Sequence, residues 1–217
     1  MPPVSAVLFD WDGTLADSFA TTRRASLTVF RHFGLDLDDA RYRATYRPDW
    51  HETYRQLGIP EARWDEAGVI WTAAYRERAA AVTLYPGVAE MLARLSAAGI
   101  RLGVVTSADR RRFLADLERL DLGGAFEVLI AFEDVRRKKP HPEAARVALE
   151  RLQLPAARAL VVGDRPEDVE MGKRAGTRTA AVPSAYGDEA MLREAAPDVL
   201  LSTIAELPAA LGVGCIG

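Results

Sequence analysis

Three short apolar runs, far apart in the chain, each end on a polar residue beside turn-forming neighbours. Val4–Phe9 leads into Asp10-Trp11-Asp12-Gly13-Thr14, Leu102–Val105 into Thr106-Ser107-Ala108-Asp109, and Ala159–Val162 into Gly163-Asp164. Unbroken apolar stretches of this length, partly β-branched, read as strands buried on both faces. Val128–Phe132 and Thr179–Val182 are weaker versions of the same signal. Helical patterns lie between them: Val88–Ala97 ending at Gly99, the amphipathic Arg111–Leu120, Glu143–Leu152 after Pro142, and Glu167–Ala175 between Pro166 and Gly176. Proline at a helix start and glycine at its end suit those positions. Strands alternating with helices predict an α/β fold, a doubly wound parallel sheet with helices on both faces. Such sheets bind ligands at the carboxyl ends of their strands. Asp10, Thr106 and Asp164 would therefore converge on one crevice.

The alternation breaks between about Asp17 and Ala81. This stretch is helical in pattern, with Asp17-Ser18 offering an N-cap, Phe19, Leu27 and Phe30 on helical spacings, and divisions at Gly34, Arg47-Pro48-Asp49 and Gly58-Ile59-Pro60. It predicts an inserted α-helical domain over 17–81, with 1–16 and 82–217 forming the α/β core. A chain of 217 residues is long enough for such a core. The net charge of −3 argues against a nucleic-acid partner, which calls for a basic excess. No apolar run approaches the ~18 residues of a membrane span, and Met1–Ala6 shows neither a basic nor a long apolar leader segment. The single cysteine, Cys215, excludes an internal disulfide framework and fits a reducing cytoplasm. A cytoplasmic protein is expected; its oligomeric state is not legible.

Four elements carry candidate chemistry, and each has a plain structural reading beside it. In Asp10-Trp11-Asp12-Gly13-Thr14-Leu15 two carboxylates stand two apart at a strand end, where a turn either aligns or splits them. Gly13 permits a backbone conformation that a side chain resists; the plain reading is a solvated turn. A calcium-binding EF-hand loop is the poorer reading, because Leu15 occupies the place of its sixth-position glycine. The Thr106 hydroxyl can donate to a phosphoryl oxygen or simply cap the following helix. In Lys138-Lys139-Pro140-His141-Pro142, Pro140 keeps the chain beside Lys139 out of a helix; the plain reading, a solvated basic turn, is assigned to Lys138, and His141 reads as a turn residue. In Gly163-Asp164-Arg165-Pro166-Glu167-Asp168, Asp164 ends a strand and Asp168 lies four residues on, so both can face one crevice; otherwise Asp164 caps the helix.

Taken together, the order and spacing of DWDGT at Asp10–Thr14, Thr106 at a strand end, Lys139-Pro140, and GDRPED at Gly163–Asp168 resemble the four motifs of the haloacid dehalogenase superfamily, in its phosphatase branch. The resemblance covers essentially the whole chain, and the 17–81 insert looks like the helical cap that follows the first motif in that family. The nearest subgroup is that of the phosphoglycolate phosphatases and β-phosphoglucomutases. The resemblance implies a Rossmann-like core, a Mg²⁺ cofactor and a small phosphorylated metabolite as partner. It further implies Asp10 as the nucleophile that becomes an aspartyl phosphate, and Asp12 as the acid/base. Thr106, Ser107 and Lys139 would bind the phosphoryl group. Asp10, Asp164 and the backbone carbonyl of Asp12 would hold the metal, and Asp168 would support Lys139 or a metal-bound water. Charge logic agrees, since a carboxylate attacking a phosphate dianion needs cations beside it. The dehalogenase branch lacks the second carboxylate, so Asp12 argues for phosphoryl transfer.

In the insert, Trp50, His51, Arg43, Arg47 and Arg55 are candidates to meet an acidic substrate, and Arg47, set at a turn by Pro48, is the one selected. The chain lacks a G-x-S-x-G elbow, a phosphate-binding G-x-x-x-x-G-K-[ST] loop and a G-x-G-x-x-G turn, and His32, His51 and His141 are too scattered for a His-rich zinc site. The reading is a phosphoric monoester hydrolase. A phosphomutase on the same residues is the alternative, and a catalytically silent binding protein a more distant one. Phosphoglycolate, sugar phosphates, nucleotides and pyrophosphate are all open as substrates.

Overall fold

Every residue of the first strand is buried, because the strand lies in the middle of the sheet. A computed structural model describes residues 3–213. Its strands are β1 (Ala6–Phe9), β2 (Ala16–Asp17), β3 (Thr83–Leu84), β4 (Arg101–Val105), β5 (Val128–Ile130), β6 (Ala159–Gly163), β7 (Arg178–Ala181) and β8 (Val199–Leu200). Its helices are α1 (Phe19–His32), α2 (Asp39–Thr45), α3 (Trp50–Gln56), α4 (Trp64–Arg76), α5 (Val88–Ala97), α6 (Arg110–Arg119), α7 (Glu143–Leu152), α8 (Pro166–Ala175), α9 (Glu189–Ala195) and α10 (Leu207–Ala210). Cys215 lies outside the described residues. Among those residues no helix is long and apolar enough to cross a membrane.

Six strands form one sheet in the order β5-β4-β1-β6-β7-β8, parallel at every pairing. Leu8 of β1 stands opposite Gly103 of β4 and Val161 of β6. Ala6 and Leu8 join an apolar cluster with Ala145, Ala148 and Leu152 of α7 and Met171 of α8. Val7 and Phe9 point to the opposite face by the two-residue period of a strand, and they too are fully buried. A strand buried on both faces needs a continuous apolar run, which is what Ala6–Phe9 supplies. This is the α/β fold with a doubly wound parallel sheet that the alternation predicts. Strand and helix ends differ from the predicted ones by one or two residues. Val128–Phe132 is shortened at its end, where the strand stops at Ile130 because Phe132–Asp134 turns into a 3₁₀ helix.

Ser18–Thr83 forms one compact unit, and the rest of the described chain forms another. The larger unit's two breaks are adjacent: the backbone N–H of Tyr85 donates to the carbonyl of Leu15 at 3.0 Å. The 18–83 unit has its own core, with Leu27, Val29 and Phe30 of α1, Tyr42 of α2, Tyr54 of α3 and Ala67 of α4. Indole N–H groups are satisfied locally, Trp71 on Ser26 and Trp64 on the carbonyl of Ile59. Ser18 occupies the N-cap position of α1, but its side chain makes no capping bond there.

Candidate active site

Asp10, Thr106 and Asp164 are each the first residue after β1, β4 and β6. Backbone bonds hold them there. Asp10 N–H donates to Val162 O at 2.8 Å, and Thr106 N–H donates to Ile130 O at 2.9 Å. Because β1 lies between β4 and β6, three motifs spread over 154 residues meet at one sheet edge. The plain readings of the polar residues give way here. Asp109 caps α6, so Thr106 does not; its Oγ1 accepts from Ala108 N–H at 3.0 Å. Arg165 is the N-cap of α8, so Asp164 does not cap that helix.

The loop after β1 splits its two carboxylates. Leu15 and Ala16 N–H both donate to Trp11 O, and Gly13 N–H donates to Ala16 O. Gly13 sits at φ +93°, and a Cβ there would run into the Asp164 carboxylate and come within 2.7 Å of the Tyr186 ring. Asp10 faces Lys139, whose Nζ lies 2.5 Å from its Oδ1. The same ammonium lies 2.7 Å from Asp168 Oδ1, while Asp168 Oδ2 accepts from Arg165 N–H at 3.2 Å. Asp164 accepts from Thr14 Oγ1 at 3.2 Å on one oxygen and from Ser184 Oγ on the other. Asp12 pairs instead with Arg112, which grips both of its carboxylate oxygens.

Asp10, Asp164 and Asp168 are all buried, and one oxygen of each lies within 4.8 Å of the others. Two of the three carboxylates, Asp10 and Asp168, share the ammonium of Lys139, and Asp164 stands beside them on hydroxyl partners, so negative charge is concentrated out of water. Burial pushes the Asp10 carboxyl up to about 7; the Lys139 charge pulls it down, and those of Asp168 and Asp12 push it up. Burial and then the charges of Asp10 and Asp168 push Asp164 well above the ordinary carboxylate range, against the Ser184 bond and the Arg165 charge. Burial opposes the charge on Lys139, yet Asp10 and Asp168 hold the ammonium above the usual lysine range. A cluster of hard oxygen donors with surplus negative charge fits a small divalent cation. Asp168 is held by the Lys139 ammonium and the Arg165 backbone N–H, whereas Asp164 is held only by two neutral hydroxyls.

Ser107 is half-buried beside Thr106. Lys138 is not the solvated turn residue expected: its Nζ donates to Phe132 O and Val135 O at 2.5 and 2.6 Å and stands over the Phe132 ring. The preceding 3₁₀ turn offers carbonyls that no helix or strand uses, and the second lysine of the pair ties them down. His141 is a turn residue, with Nδ1 accepting from Glu143 N–H at 3.2 Å. Arg47 belongs to the 18–83 unit, where its Nη1 donates to Ala44 O and Tyr46 O. In the same unit Arg43 lies over Phe19 and Arg55 over Trp64, so these two cover aromatic faces.

Sequence reasoning missed Arg112 and Ser184. Arg112 is the third of three consecutive arginines, and nothing in the run marks which of them turns inward. Ser184 lies three residues after β7, and its signal was available: a hydroxyl just past the end of another strand of the same sheet.

Comparison with known proteins agrees with this geometry. Residues 7–182 match the family described as haloacid dehalogenase-like hydrolase. Pyrophosphatase PpaX of Bacillus velezensis is 33% identical over 214 residues, covering 97% of both chains. The crystal structure of CbbY from Rhodobacter sphaeroides in complex with phosphate aligns with a TM-score of 0.85 and 29% identity, covering 96% of this chain and 99% of that one. A CbbY variant in complex with xylulose-1,5-bisphosphate aligns with a TM-score of 0.80 and 29% identity over 94% and 96% of the two chains. The chain belongs to the haloacid dehalogenase-like hydrolases and is an enzyme of their phosphatase branch.

Proposed function

We propose that the enzyme hydrolyses small phosphate monoesters through phosphorylated Asp10, with Mg²⁺ as cofactor. The observation that carries this reading is the buried Asp10 carboxylate at the end of the central strand, 2.5 Å from Lys139 and clustered with Asp164. An oxygen of Asp10 attacks phosphorus and the bond to the ester oxygen breaks. Asp12 gives that oxygen its proton, so an alcohol leaves. Asp12 then takes a proton from water as the water oxygen attacks the phosphoryl group; inorganic phosphate departs and the Asp10 carboxylate is restored. Lys139 offsets charge on the phosphoryl oxygens, and Thr106 and Ser107 orient them. Asp168 holds the Lys139 ammonium from the far side. Asp10, Asp164 and the backbone carbonyl of Asp12 would hold Mg²⁺, which would supply positive charge beside the phosphate dianion.

The 18–83 unit is assigned the role of a cap that selects the substrate, with Arg47 its candidate anion contact. The relatives support a small anionic substrate: one is named a pyrophosphatase, and another is seen with phosphate and, as a variant, with a sugar bisphosphate. A cytoplasmic location goes with this reading, supported by the lone cysteine. The test is phosphate release from p-nitrophenyl phosphate and from a panel holding phosphoglycolate, sugar phosphates, nucleotides and pyrophosphate, with and without Mg²⁺. Turnover that requires the cation is expected. Absence of turnover on every compound with Mg²⁺ present defeats the reading.

A further inference from the structure

The partner of Asp12 is a guanidinium that is itself nearly buried. The Arg112 side chain is 7% exposed, and a charge removed from water is retained only where it is well paired. Its Nη1 donates to Asp12 Oδ1 at 2.9 Å and its Nη2 donates to Asp12 Oδ2. Two parallel bonds from a planar fork fix the plane of a carboxylate as well as its position, which a single point charge does not do. A carboxylate oxygen carries two lone pairs, and one N–H bond occupies only one of them.

Arg112 is fixed from behind as well. Its backbone N–H donates to Asp109, the N-cap of α6, at 2.9 Å. One turn along the helix, Asp116 Oδ2 lies 3.4 Å from Arg112 Nη1. Asp116 Oδ1 lies 3.4 Å from Nη2 of Arg119, whose side chain is 31% exposed and reaches solvent. Asp116 is only 2% exposed, between Phe113 and Leu117 on the buried face of an amphipathic helix. An apolar residue would serve packing there; a buried carboxylate serves its arginines. Asp12, Arg112, Asp116 and Arg119 thus form a row of alternating charge that leads from the strand-end loop to the surface.

We propose that Arg112 is the positioning residue of the acid/base, and that Asp116 holds Arg112 in place for that task. The inference rests on the reading of Asp12 as the group that protonates the leaving oxygen and deprotonates water. Both transfers need one carboxylate in one orientation, first toward the breaking P–O bond and then toward the attacking water. Loss of about an ångström of alignment costs about 10²-fold in rate.

The experiment is rapid-quench kinetics on an alkyl phosphate and on p-nitrophenyl phosphate, with wild type, Asp12→Asn, Arg112→Gln, Asp116→Asn and the double variant Asp12→Asn/Arg112→Gln. The alkoxide needs a delivered proton and p-nitrophenolate does not. Arg112→Gln is therefore expected to slow phosphorylation about 10²-fold on the alkyl ester and far less on p-nitrophenyl phosphate. A burst of p-nitrophenolate should follow, because dephosphorylation also needs an aligned Asp12. Asp116→Asn should show the same pattern with a smaller amplitude. The double variant should be no slower than Asp12→Asn, the non-additivity of residues acting as one unit. Equal losses on both esters for Asp12→Asn defeat the acid/base reading and this inference with it. If Asp12→Asn shows the leaving-group dependence while Arg112→Gln loses equally on both, or the double variant is additive, the positioning role alone is overturned. Should Arg112→Gln not fold, Arg112→Lys keeps the charge and the stem without the fork. An alkyl-ester rate equal to wild type in that variant also overturns the assignment.

Discussion

Gly13→Ala adds one methyl group at the most crowded point of the site, and the structure sets how large the damage should be. The backbone stands at φ +93°, where an L side chain costs about 1–2 kcal/mol. The methyl carbon would overlap the Asp164 carboxylate and press to 2.7 Å from the Tyr186 ring. Neither neighbour can step aside freely, since Asp164 and Tyr186 are 1% and 6% exposed. Asp164 accepts from Thr14 and Ser184, and Ser184 Oγ accepts from Tyr186 N–H at 2.9 Å. Displacing the carboxylate breaks two hydrogen bonds to a buried acid, each worth about 1.5–3 kcal/mol where one partner is charged. The total is roughly 4–8 kcal/mol, most of a small protein's stability. Gly99→Ala is the control: φ is +76°, but a Cβ there meets nothing within 4 Å, so only the backbone cost of about 1–2 kcal/mol applies. Urea denaturation of both variants, with m-values compared, measures the difference. Any folded Gly13→Ala should also need more Mg²⁺ for activity, because Asp164 has moved. A Gly13→Ala variant no less stable than Gly99→Ala, with an unchanged Mg²⁺ titration, would show that the loop is not packed against Asp164.

Further expectations follow from the same groups. Asp10→Asn keeps the shape but not the charge that attacks phosphorus, so kcat should fall by several orders of magnitude with the fold intact; appreciable phosphate release, free of wild-type carry-over, would falsify the covalent route. Asp164→Ala removes an anionic ligand and should raise the Mg²⁺ concentration for half-maximal activity; an unchanged curve would place the cation elsewhere. Asp10 is held up at about 7 against an ordinary 3.8, so in the metal-free protein its contribution to stability is fully present below pH 3.8 and lost as pH rises through about 7. A cation needs the ionised form. Mg²⁺ affinity, read by thermal shift, should therefore climb between about pH 6 and pH 8 and then level off, and a flat profile would refute the assignment. Lys138→Met should destabilise by about 1–3 kcal/mol through two lost carbonyl bonds, with little effect on kcat, as denaturant melts and steady-state rates will show.

Much of this site is legible in the sequence because its main parts are strand ends, and strands announce themselves. Ala6–Phe9 must be apolar throughout to lie between two strands and two layers of helices, and the first polar residue after it is thereby placed. The same holds for Thr106 and Asp164. What the sequence conceals is direction. Asp10 and Asp12 differ by two positions, and only the turn at Gly13 sends one to Lys139 and the other to Arg112. Three successive arginines on one helix look alike in composition; the helical turn puts Arg112 above the buried Asp116 and leaves Arg111 exposed. The two-residue β8 carries too little apolar sequence to be distinguished from a loop. Paired lysines are usually solvated, and the carbonyls at the 3₁₀ turn that capture Lys138 cannot be seen before the turn is known.

The central place of β1 also bears on how the chain is made. It is translated before both of its sheet neighbours, Arg101–Val105 and Ala159–Gly163, which follow long afterwards. All of Ser18–Thr83 is synthesised before either flank of β1 exists. For that interval four of the most apolar residues in the protein have no strand to pair with, the sort of exposure that chaperones answer. Asp10, the proposed nucleophile, is polymerised long before Asp164, so a nascent chain halted between them carries Asp10 without the rest of its carboxylate cluster.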